Sequence, residues 1–233
     1  MNKISLPLSE LKPAIAGISK VIARRTTLPV LGTVKVERTR DGAVSMTATD
    51  LDSFVTMRFD QPSEGTPLTV LVPFEELQKT VKACGKDESI EIERSTDDKA
   101  YIRYRIGSQI AQTTVESQPP DDFPETPTVE DQHIPLPDKV RLSMQEGFAC
   151  SSSDPTRYVL NGICLDVSVP NCHNVVGTDG RHLYCSNSFS LPLEESLIIP
   201  RTKFLGWNDF NKDGEWQLSV TSKKEDRAWC KIS

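Results

Sequence analysis

A chain of 233 residues with 37% hydrophobic and 26% charged side chains indicates a folded protein of one or two domains and excludes a largely disordered one. Its apolar runs, such as Val70–Val72, are too short to span a bilayer, and no apolar secretory segment follows Met1. We therefore expect a cytoplasmic protein with no membrane partner. A net charge of −6 argues against a nucleic-acid partner unless the charges are unevenly distributed along the chain.

Six cysteines raise the question of a metal site or a disulfide framework. No pair has the two-residue gap of zinc sites, and the one tempting cluster is Cys172-His173 with Cys185 nearby. Because cysteine in cytosolic proteins is often simply a small buried hydrophobe, we expect reduced thiols, no metal and no cofactor.

The chain begins with a predicted helix followed by antiparallel strands. Apolar residues three and four positions apart predict a helix over Leu8–Arg25. Alternation of apolar and polar residues then predicts strands through Val36, Met46 and Met57. Asp41-Gly42 between the first two strands predicts a hairpin turn.

A second helix and a linker complete the first half. Pro73 opens this helix and Gly85 ends it, with acidic residues in its first turn, and strands are predicted at 89–93, 100–106 and 109–116. Residues 118–137 hold six prolines and five acids but no lysine or arginine. Such a stiff segment cannot enter a central strand, so we place a first module at 1–120, a linker at 121–137 and a second module at 138–233.

The second module repeats the order of the first. A helix is predicted over 138–153, although Gly147 costs about 1 kcal/mol of helix propensity relative to alanine. A strand through Leu165 follows, and Pro200 is predicted to open a fourth helix. Strands at 216–221 and 228–233 end the sequence, so the last strand of the first module has no counterpart and the second module reads as truncated.

Three pairs of residues indicate an internal duplication. Gly32 and Gly162 lie 130 residues apart, Asp50 and Asp179 lie 129 apart, and Pro73 and Pro200 lie 127 apart. A repeat of this length points to one module built twice. The prediction is an α+β fold of duplicated modules, each with two helices packed on antiparallel sheet.

Charge is unevenly distributed between the predicted elements. The four predicted helices together carry +6, while the whole chain carries −6. Two interpretations remain open: the lysines and arginines occupy the solvated faces of amphipathic helices, or the helices line an electropositive channel for phosphate groups.

Short motifs in a fixed order resemble those of the bacterial sliding clamp family, the beta subunit of DNA polymerase III. They lie at 28–32, 47–51, 122–124, 157–162, 178–180 and 199–201. The resemblance implies a DNA-clamp fold and a non-catalytic processivity factor that encircles double-stranded DNA and tethers the replicative polymerase. It also implies binding of polymerase and clamp-loader subunits through short linear motifs. Family chains have three modules and pair into a ring, whereas the third module is absent here, so a ring of copies is expected only if that module is present.

The resemblance and the helix charge together suggest two sets of site residues. Arg25, Arg157 and Tyr158 match DNA-contacting positions of the family, although the second aromatic that often follows is here Val159. Helix charge adds six further candidates for DNA binding: Lys20, Arg24, Lys79, Lys82, Arg201 and Lys203. The resemblance assigns one wall of a partner-peptide cleft to Leu160, Thr178, Gly180, Arg181 and Leu183. The family usually has His-Arg where this chain has Arg181-His182.

Two alternatives stay open at this point. Two modules per chain would also close a six-module ring as a trimer, the plan of eukaryotic and archaeal clamps. A metal-dependent nuclease would instead use Asp50 and Asp179, although two-metal chemistry needs several acids within a few ångströms and the duplication separates this pair.

Overall fold

The computed structural model describes residues 3–22, 26–85, 88–95, 98–129, 133–187, 190–191, 193–212, 214–221 and 228–233. The chain forms two compact units, Met1–Thr126 and Pro127–Ser233, and each has its own hydrophobic core. All strand pairings among the described residues are antiparallel. The predicted α+β fold, with two helices and antiparallel sheet in each half, is confirmed.

The first unit contains two helices and two four-stranded sheets. The helices are α1 (Leu8–Ile18) and α2 (Phe74–Ala83). The strands are β1 (Lys3–Pro7), β2 (Thr33–Arg38), β3 (Val44–Thr49), β4 (Phe54–Phe59), β5 (Leu68–Pro73), β6 (Ser89–Arg94), β7 (Lys99–Ile106) and β8 (Gln109–Glu116). The sheets have the strand orders β4-β3-β2-β5 and β1-β6-β7-β8. Two 3-10 turns, Pro29–Gly32 and Pro120–Asp122, precede β2 and follow β8.

The second unit has the same arrangement with a smaller second sheet. Its helices are α3 (Asp138–Cys150) and α4 (Asn208–Lys212). Its strands are β9 (Ile134–Leu136), β10 (Gly162–Asp166), β11 (Asn174–Thr178), β12 (Leu183–Ser186), β13 (Leu197–Pro200), β14 (Trp216–Val220) and β15 (Cys230–Ile232). The sheets have the orders β12-β11-β10-β13 and β15-β14-β9. No strand of the described second unit corresponds to β8.

Strand register corrects one of the anchors of the duplication. Thr33 pairs with Pro73 at the end of β5, and Gly162 pairs with Pro200 at the end of β13. The structural equivalent of Gly162 is therefore Thr33, 129 residues earlier, and not Gly32. This spacing equals that of Asp50 and Asp179, which each directly follow a strand, β3 and β11.

Part of the proline-rich segment predicted as a linker, 121–137, forms a strand. Ile134–Leu136 forms β9, which pairs with β14 and lies at the edge of its sheet. Pro135 lies within this strand, and an edge strand tolerates the missing N–H group of proline because one side of the strand carries no ladder partner.

The prediction that Pro200 opens a helix is wrong. Pro200 is the last residue of β13, the segment after it forms turns, and α4 begins only at Asn208. In the first unit, α2 follows Pro73 directly and carries Glu75 and Glu76 in its first turn. Acidic residues stabilise a helix N-terminus, whereas the cations that follow Pro200 oppose the helix dipole.

The other helices are shorter than predicted. Helix α1 ends at Ile18, where the hydroxyl of Ser19 donates a hydrogen bond to the carbonyl of Ala16 and the backbone N–H of Lys20 bonds to Gly17. These three-residue bonds tighten the chain into a turn. Helix α3 ends at Cys150, so the predicted extension to residue 153 is also wrong.

Gly147 explains how α3 packs so closely on the central sheet of the second unit. A Cβ atom at Gly147 would lie 2.9 Å from Ile163 Cγ2, and a Cβ atom at Gly177 on β11 would lie 2.2 Å from the carbonyl oxygen of Gly147. Helix and strand backbones therefore touch where neither residue carries a side chain. The helix propensity lost at Gly147 is the cost of this contact.

The six cysteines are free thiols. Burial raises the pKa of Cys230 to about 12. His173 accepts a hydrogen bond from the backbone N–H of Leu191 at its Nδ1 atom, at 2.8 Å. No three His, Cys, Asp or Glu side chains of the described residues lie close enough together to hold a metal ion. Among the same residues, no helix has both the length and the hydrophobicity that a membrane span requires.

Candidate functional site

The loop between α3 and β10 carries Arg157 and Tyr158, and backbone hydrogen bonds hold its shape. The backbone N–H of Asn161 donates to the carbonyl of Arg157 at 2.8 Å, and its side-chain amide donates to the carbonyl of Ser152 at 2.7 Å. Asp154 caps the preceding turn by accepting bonds from the backbone and hydroxyl of Thr156. The side chain of Tyr158 is left 80% exposed at the tip.

A tight turn between β11 and β12 carries most of the predicted peptide-cleft residues. The hydroxyl of Thr178 donates to the carbonyl of His182 at 2.6 Å and accepts the N–H of Gly180 at 3.0 Å. Asp179 accepts the backbone N–H groups of Arg181 and His182. Gly180 has φ +88°, a left-handed conformation that favours glycine.

Asp179 also pairs with the imidazole of His182, whose Nδ1 lies 3.0 Å from Oδ2. The hydrogen bond from His182, together with the two backbone N–H groups, holds the pKa of Asp179 well below its ordinary value. The inverted order Arg181-His182 therefore places the imidazole on the turn, where it stabilises the carboxylate, and leaves Arg181 exposed.

The same turn occurs in the first unit, at the end of β3. Thr49 donates to the carbonyl of Ser53, its oxygen accepts the N–H of Leu51, and Asp50 accepts the N–H of Ser53. Leu51 has φ 79°, in the region that Gly180 occupies in the second unit. Asp50 and Asp179, the two aspartates that a metal-dependent nuclease would use, thus each cap a turn of their own unit.

The structure brings together residues from the two predicted sets. A Cβ atom built on Gly180 would lie 3.8 Å from both Arg157 Nη1 and Leu160 Cδ1. Thr178 pairs with Leu183, whose side chain is 71% exposed on β12. One end of the β12-β11-β10-β13 sheet therefore presents the predicted cleft wall directly beside the arginine assigned to DNA.

Comparison with known proteins decides the family. Residues 3–127 match the family described as DNA polymerase III beta subunit, N-terminal domain, and this match covers more than half of the chain. The chain belongs to the DNA polymerase III beta subunit family.

Relatives and solved structures extend this similarity across both units. The Beta sliding clamp of Pseudomonas putida is 30% identical over 213 residues, which span 87% of this chain and 55% of the relative. The crystal structure of the DNA polymerase III subunit beta from Pseudomonas aeruginosa has a TM-score of 0.74 at 22% identity, over 99% of this chain and 64% of that one. The Caulobacter crescentus sliding clamp gives 0.80 at 20% identity, over 95% and 61%. The chain therefore spans about half the length of the P. putida relative.

The beta-subunit fold does not place the basic residues where the sequence suggested. Within the observed bounds, each of the four helices has equal numbers of acidic and basic residues. Lys20 and Lys203 lie in turns and Arg201 directly follows β13, so all three lie outside the helices, and all three are exposed. The prediction that the helices themselves hold the excess charge is wrong, because they end or begin several residues away from these cations.

The remaining predicted DNA contacts differ in their surroundings. Lys79 pairs with Glu76 at 2.7 Å, while Lys82 is exposed and lines a groove between α1 and α2 together with Lys12. Arg24 and Arg25 fall outside the described residues. Contact of the whole predicted set with DNA stays a prediction.

Several positioning residues were missed by reasoning from sequence. Lys12 lies on the same groove as Lys82, and its place among the polar residues of the predicted first helix was a usable signal. Asp154 is followed by Pro155 and Thr156, a common turn pattern that marks it as a cap. The role of Asn161 in holding the Arg157 loop was not predicted, although its partners Arg157 and Ser152 are near in sequence, because these bonds form only in the folded shape of the loop.

Proposed function

We propose that this chain acts in a DNA sliding clamp, a non-catalytic ring that encircles double-stranded DNA and tethers the replicative DNA polymerase. The observation that carries this proposal is the family match over residues 3–127, joined to a second unit with the same fold. The relatives named Beta sliding clamp support it. Two units with the same sheet order in one chain suit a ring built by repeating one module.

The DNA-facing residues in this proposal are the predicted set of cations and the exposed Tyr158. Arg157 is charged at neutral pH and has a forked head that suits phosphate, and Tyr158 is exposed enough to lie against a sugar or base. Nonspecific contact with phosphates suits a protein that must slide, because it carries no sequence information. The remaining members of the set are Lys20, Arg24, Arg25, Lys79, Lys82, Arg201 and Lys203.

The peptide-binding residues in this proposal lie around the turn at Gly180. Leu160 and Leu183 supply apolar contacts for a short linear motif of a polymerase or clamp-loader subunit, and the exposed Arg181 supplies a positive charge. Thr178 and Gly180 set the shape of the wall through their hydrogen bond.

Closing a ring of six modules requires further modules beyond the two units of this chain. Two copies of a chain with a third module joined to the second unit, or three copies of a two-module chain, would complete the circle. Light scattering on the protein in solution separates these arrangements, because a trimer has three times the mass of the 25.9 kDa chain.

Retention on circular DNA tests the function. The protein is loaded by a compatible clamp loader onto a nicked circular duplex, isolated by gel filtration, and treated with a restriction enzyme that cuts once. A topological clamp stays on the circle and is released on linearisation, whereas a protein held by direct contacts stays on both forms. Cleavage of the DNA that depends on divalent metal and disappears in Asp179→Ala would contradict the proposal in favour of a nuclease.

A further inference from the structure

In the first unit, a segment of the same chain covers part of the outer face of the β4-β3-β2-β5 sheet, which is the face that points away from the main core. Lys35 on β2 and Leu71 on β5 are paired in register, so both side chains point to the same face. Leu71 is 0% exposed, yet it lies outside the main core cluster, to which its neighbours Val70 and Val72 belong. Residues outside this core cluster therefore bury Leu71 on the outer face of the sheet.

The covering segment is the stretch after β8, which we call the strap (residues 117–124). Its 3-10 turn, Pro120–Asp122, packs against β5. The next residue, Phe123, is buried, and the ammonium group of Lys35 lies 5.6 Å from the centroid of its ring. A proline-flanked segment with a buried aromatic ring thus covers part of the outer face of the first unit, at β2 and β5.

The equivalent face of the second unit is much more exposed. Register makes Cys164 and Ile198 the counterparts of Lys35 and Leu71, because each pair lies two residues from the strand-ending proline pair. Ile198 is 45% exposed, and Cys164 and Val176 beside it are only half-buried. These three residues, with the exposed Cys185, form an apolar row across the four strands, which we call the outer row.

We propose that the outer row is a docking site for an extended, acidic, proline-flanked aromatic segment of the kind that the strap provides. The first unit shows the occupant of the equivalent surface, and the apolar character of the outer row suits an aromatic ring. Burial of Ile198 under such a ring would remove apolar surface from water.

Charge at one end of the row matches this occupant. The strap carries Asp121 and Asp122, both exposed. Arg201 follows the strand that contains Ile198, and its backbone N–H donates to Asn161, which is bonded in turn to Arg157. The guanidinium of Arg201 donates to the carbonyl of Ser151 at the end of α3, so Arg157 is the exposed arginine near the start of β10 that acidic residues flanking the aromatic ring would meet.

The docking site does not depend on DNA binding or ring closure, so its test separates from that of the proposed function. The probe is a fluorescent peptide with the sequence of residues 117–126, titrated into the full chain while anisotropy is measured. We expect saturable binding, with nuclear magnetic resonance shifts confined to β10, β11 and β13. Phe123→Ala in the peptide is expected to raise the Kd at least tenfold.

Substitutions in the protein locate the site. Ile198→Glu is expected to raise the peptide Kd at least tenfold and the milder Ile198→Ser severalfold, while Val169→Glu, at another exposed apolar side chain of the second unit, leaves it unchanged. Cys164→Lys, which restores the cation found beside Phe123, is expected to lower the Kd about two- to fivefold. Circular dichroism checks that each variant is folded.

Three results would overturn the proposal. One is the absence of binding at millimolar peptide. Another is a Kd that Ile198→Glu and Ile198→Ser both leave unchanged in folded protein. The third is a wild-type protein that sediments as a dimer and becomes monomeric with Ile198→Glu, since a second copy would then be the occupant of the row.

Discussion

Arg38 shows how one buried cation can organise a whole region of the first unit. Its guanidinium donates to the backbone carbonyls of Lys3, Glu64 and Thr66 and to the hydroxyl of Ser63. A Cβ atom at Gly65, which has φ +134°, would lie 2.6 Å from this group. Arg38 thus joins β1 to the loop before β5, and glycine is required where the loop wraps around it.

Replacing Arg38 tests this role. Arg38→Met is expected to lower the free energy of unfolding by about 3 kcal/mol, because several buried carbonyl groups lose their donor while the apolar replacement fills part of the volume. Urea unfolding followed by far-ultraviolet circular dichroism measures the change. Arg40→Met, at an exposed position two residues later, is the control and should change the free energy by less than about 0.5 kcal/mol. Equal effects of the two variants would contradict the assignment.

Asp179 gives the turn at Gly180 a dependence on pH. Its pKa is depressed in the folded protein, so its stabilising effect is complete above the ordinary carboxyl pKa of about 3.9 and is lost as pH falls below it. Asp179→Asn is therefore expected to lower the urea midpoint at pH 7, and the difference from wild type should shrink as the pH falls below about 4. Tryptophan fluorescence follows this transition, because Trp207, Trp216 and Trp229 all lie in the second unit.

The matched control for this pH effect is Glu194→Gln, an exposed carboxylate of the same unit. Its midpoint should follow that of wild type at each pH. A difference between Asp179→Asn and wild type that stayed constant from pH 7 to strongly acidic pH would show that the lost interaction does not involve the charge of Asp179.

Helix α3 illustrates at the scale of elements why propensity alone misleads. Sequence reasoning treats Gly147 as a weakness in the helix, which predicts that alanine would stabilise it by about 1 kcal/mol. The structure places this glycine against Ile163 and against the backbone at Gly177, where added atoms have no room. Overpacking costs typically about 1–3 kcal/mol, which exceeds the gain in propensity.

Alanine substitutions distinguish these two expectations. Gly147→Ala is expected to destabilise the second unit by about 1 kcal/mol, the overpacking cost less the propensity gain. Gly177→Ala is expected to cost more, about 3 kcal/mol, because its Cβ would meet a backbone carbonyl that cannot rotate away. Urea unfolding monitored by tryptophan fluorescence measures both. Gly214→Ala is a useful comparison, since nothing lies within 4 Å of its added Cβ and only its φ of +110° opposes it. A stabilised Gly147→Ala protein would contradict the close packing.

The helix ends matter equally for function. Helices α1 and α3 end several residues earlier than periodicity suggests, and α4 begins later. Lys20 and Lys203 consequently lie in turns and Arg201 directly follows β13, so any contact that these three make with DNA comes from outside the helices.

At the scale of the whole molecule, an acidic chain is proposed to hold DNA through a few exposed cations. Each DNA phosphate that the protein neutralises makes log K fall more steeply with log salt, by about 0.9 in the slope. Arg157→Ala and Lys203→Ala are each expected to reduce the slope by roughly this amount, measured by anisotropy of a labelled duplex between about 50 and about 200 mM salt. Lys99→Ala, at an exposed cation that begins β7, is expected to leave the slope unchanged. Equal slopes for all four proteins would remove Arg157 and Lys203 from the proposed interface.

Much of the fold could be predicted because its signals are local. The apolar spacing in α1, the alternation in β2 to β4 and the Asp41-Gly42 hairpin each depend on residues adjacent in the chain. Repetition of these signals about 130 residues apart was enough to recognise a duplicated α+β module. The residues Thr178, Gly180 and Leu183 were assigned to a peptide cleft by the family resemblance and not by local periodicity, and this role stays a prediction.

Only the tertiary structure decided the features that join distant residues. The pairing of Thr33 and Gly162 with their prolines moved one anchor of the repeat by one position. The approach of Arg157 and Leu160 to Gly180, and the cover of Phe123 over Lys35, likewise depend on contacts across strands. Sequence by itself determined most of the elements and their repetition, since short-range periodicity specifies them, but not β9 or the start of α4. Strand register, the ends of the helices and the packing of the strap on its sheet were decided by tertiary contacts. The interactions that stabilise them involve residues that lie far away in the sequence.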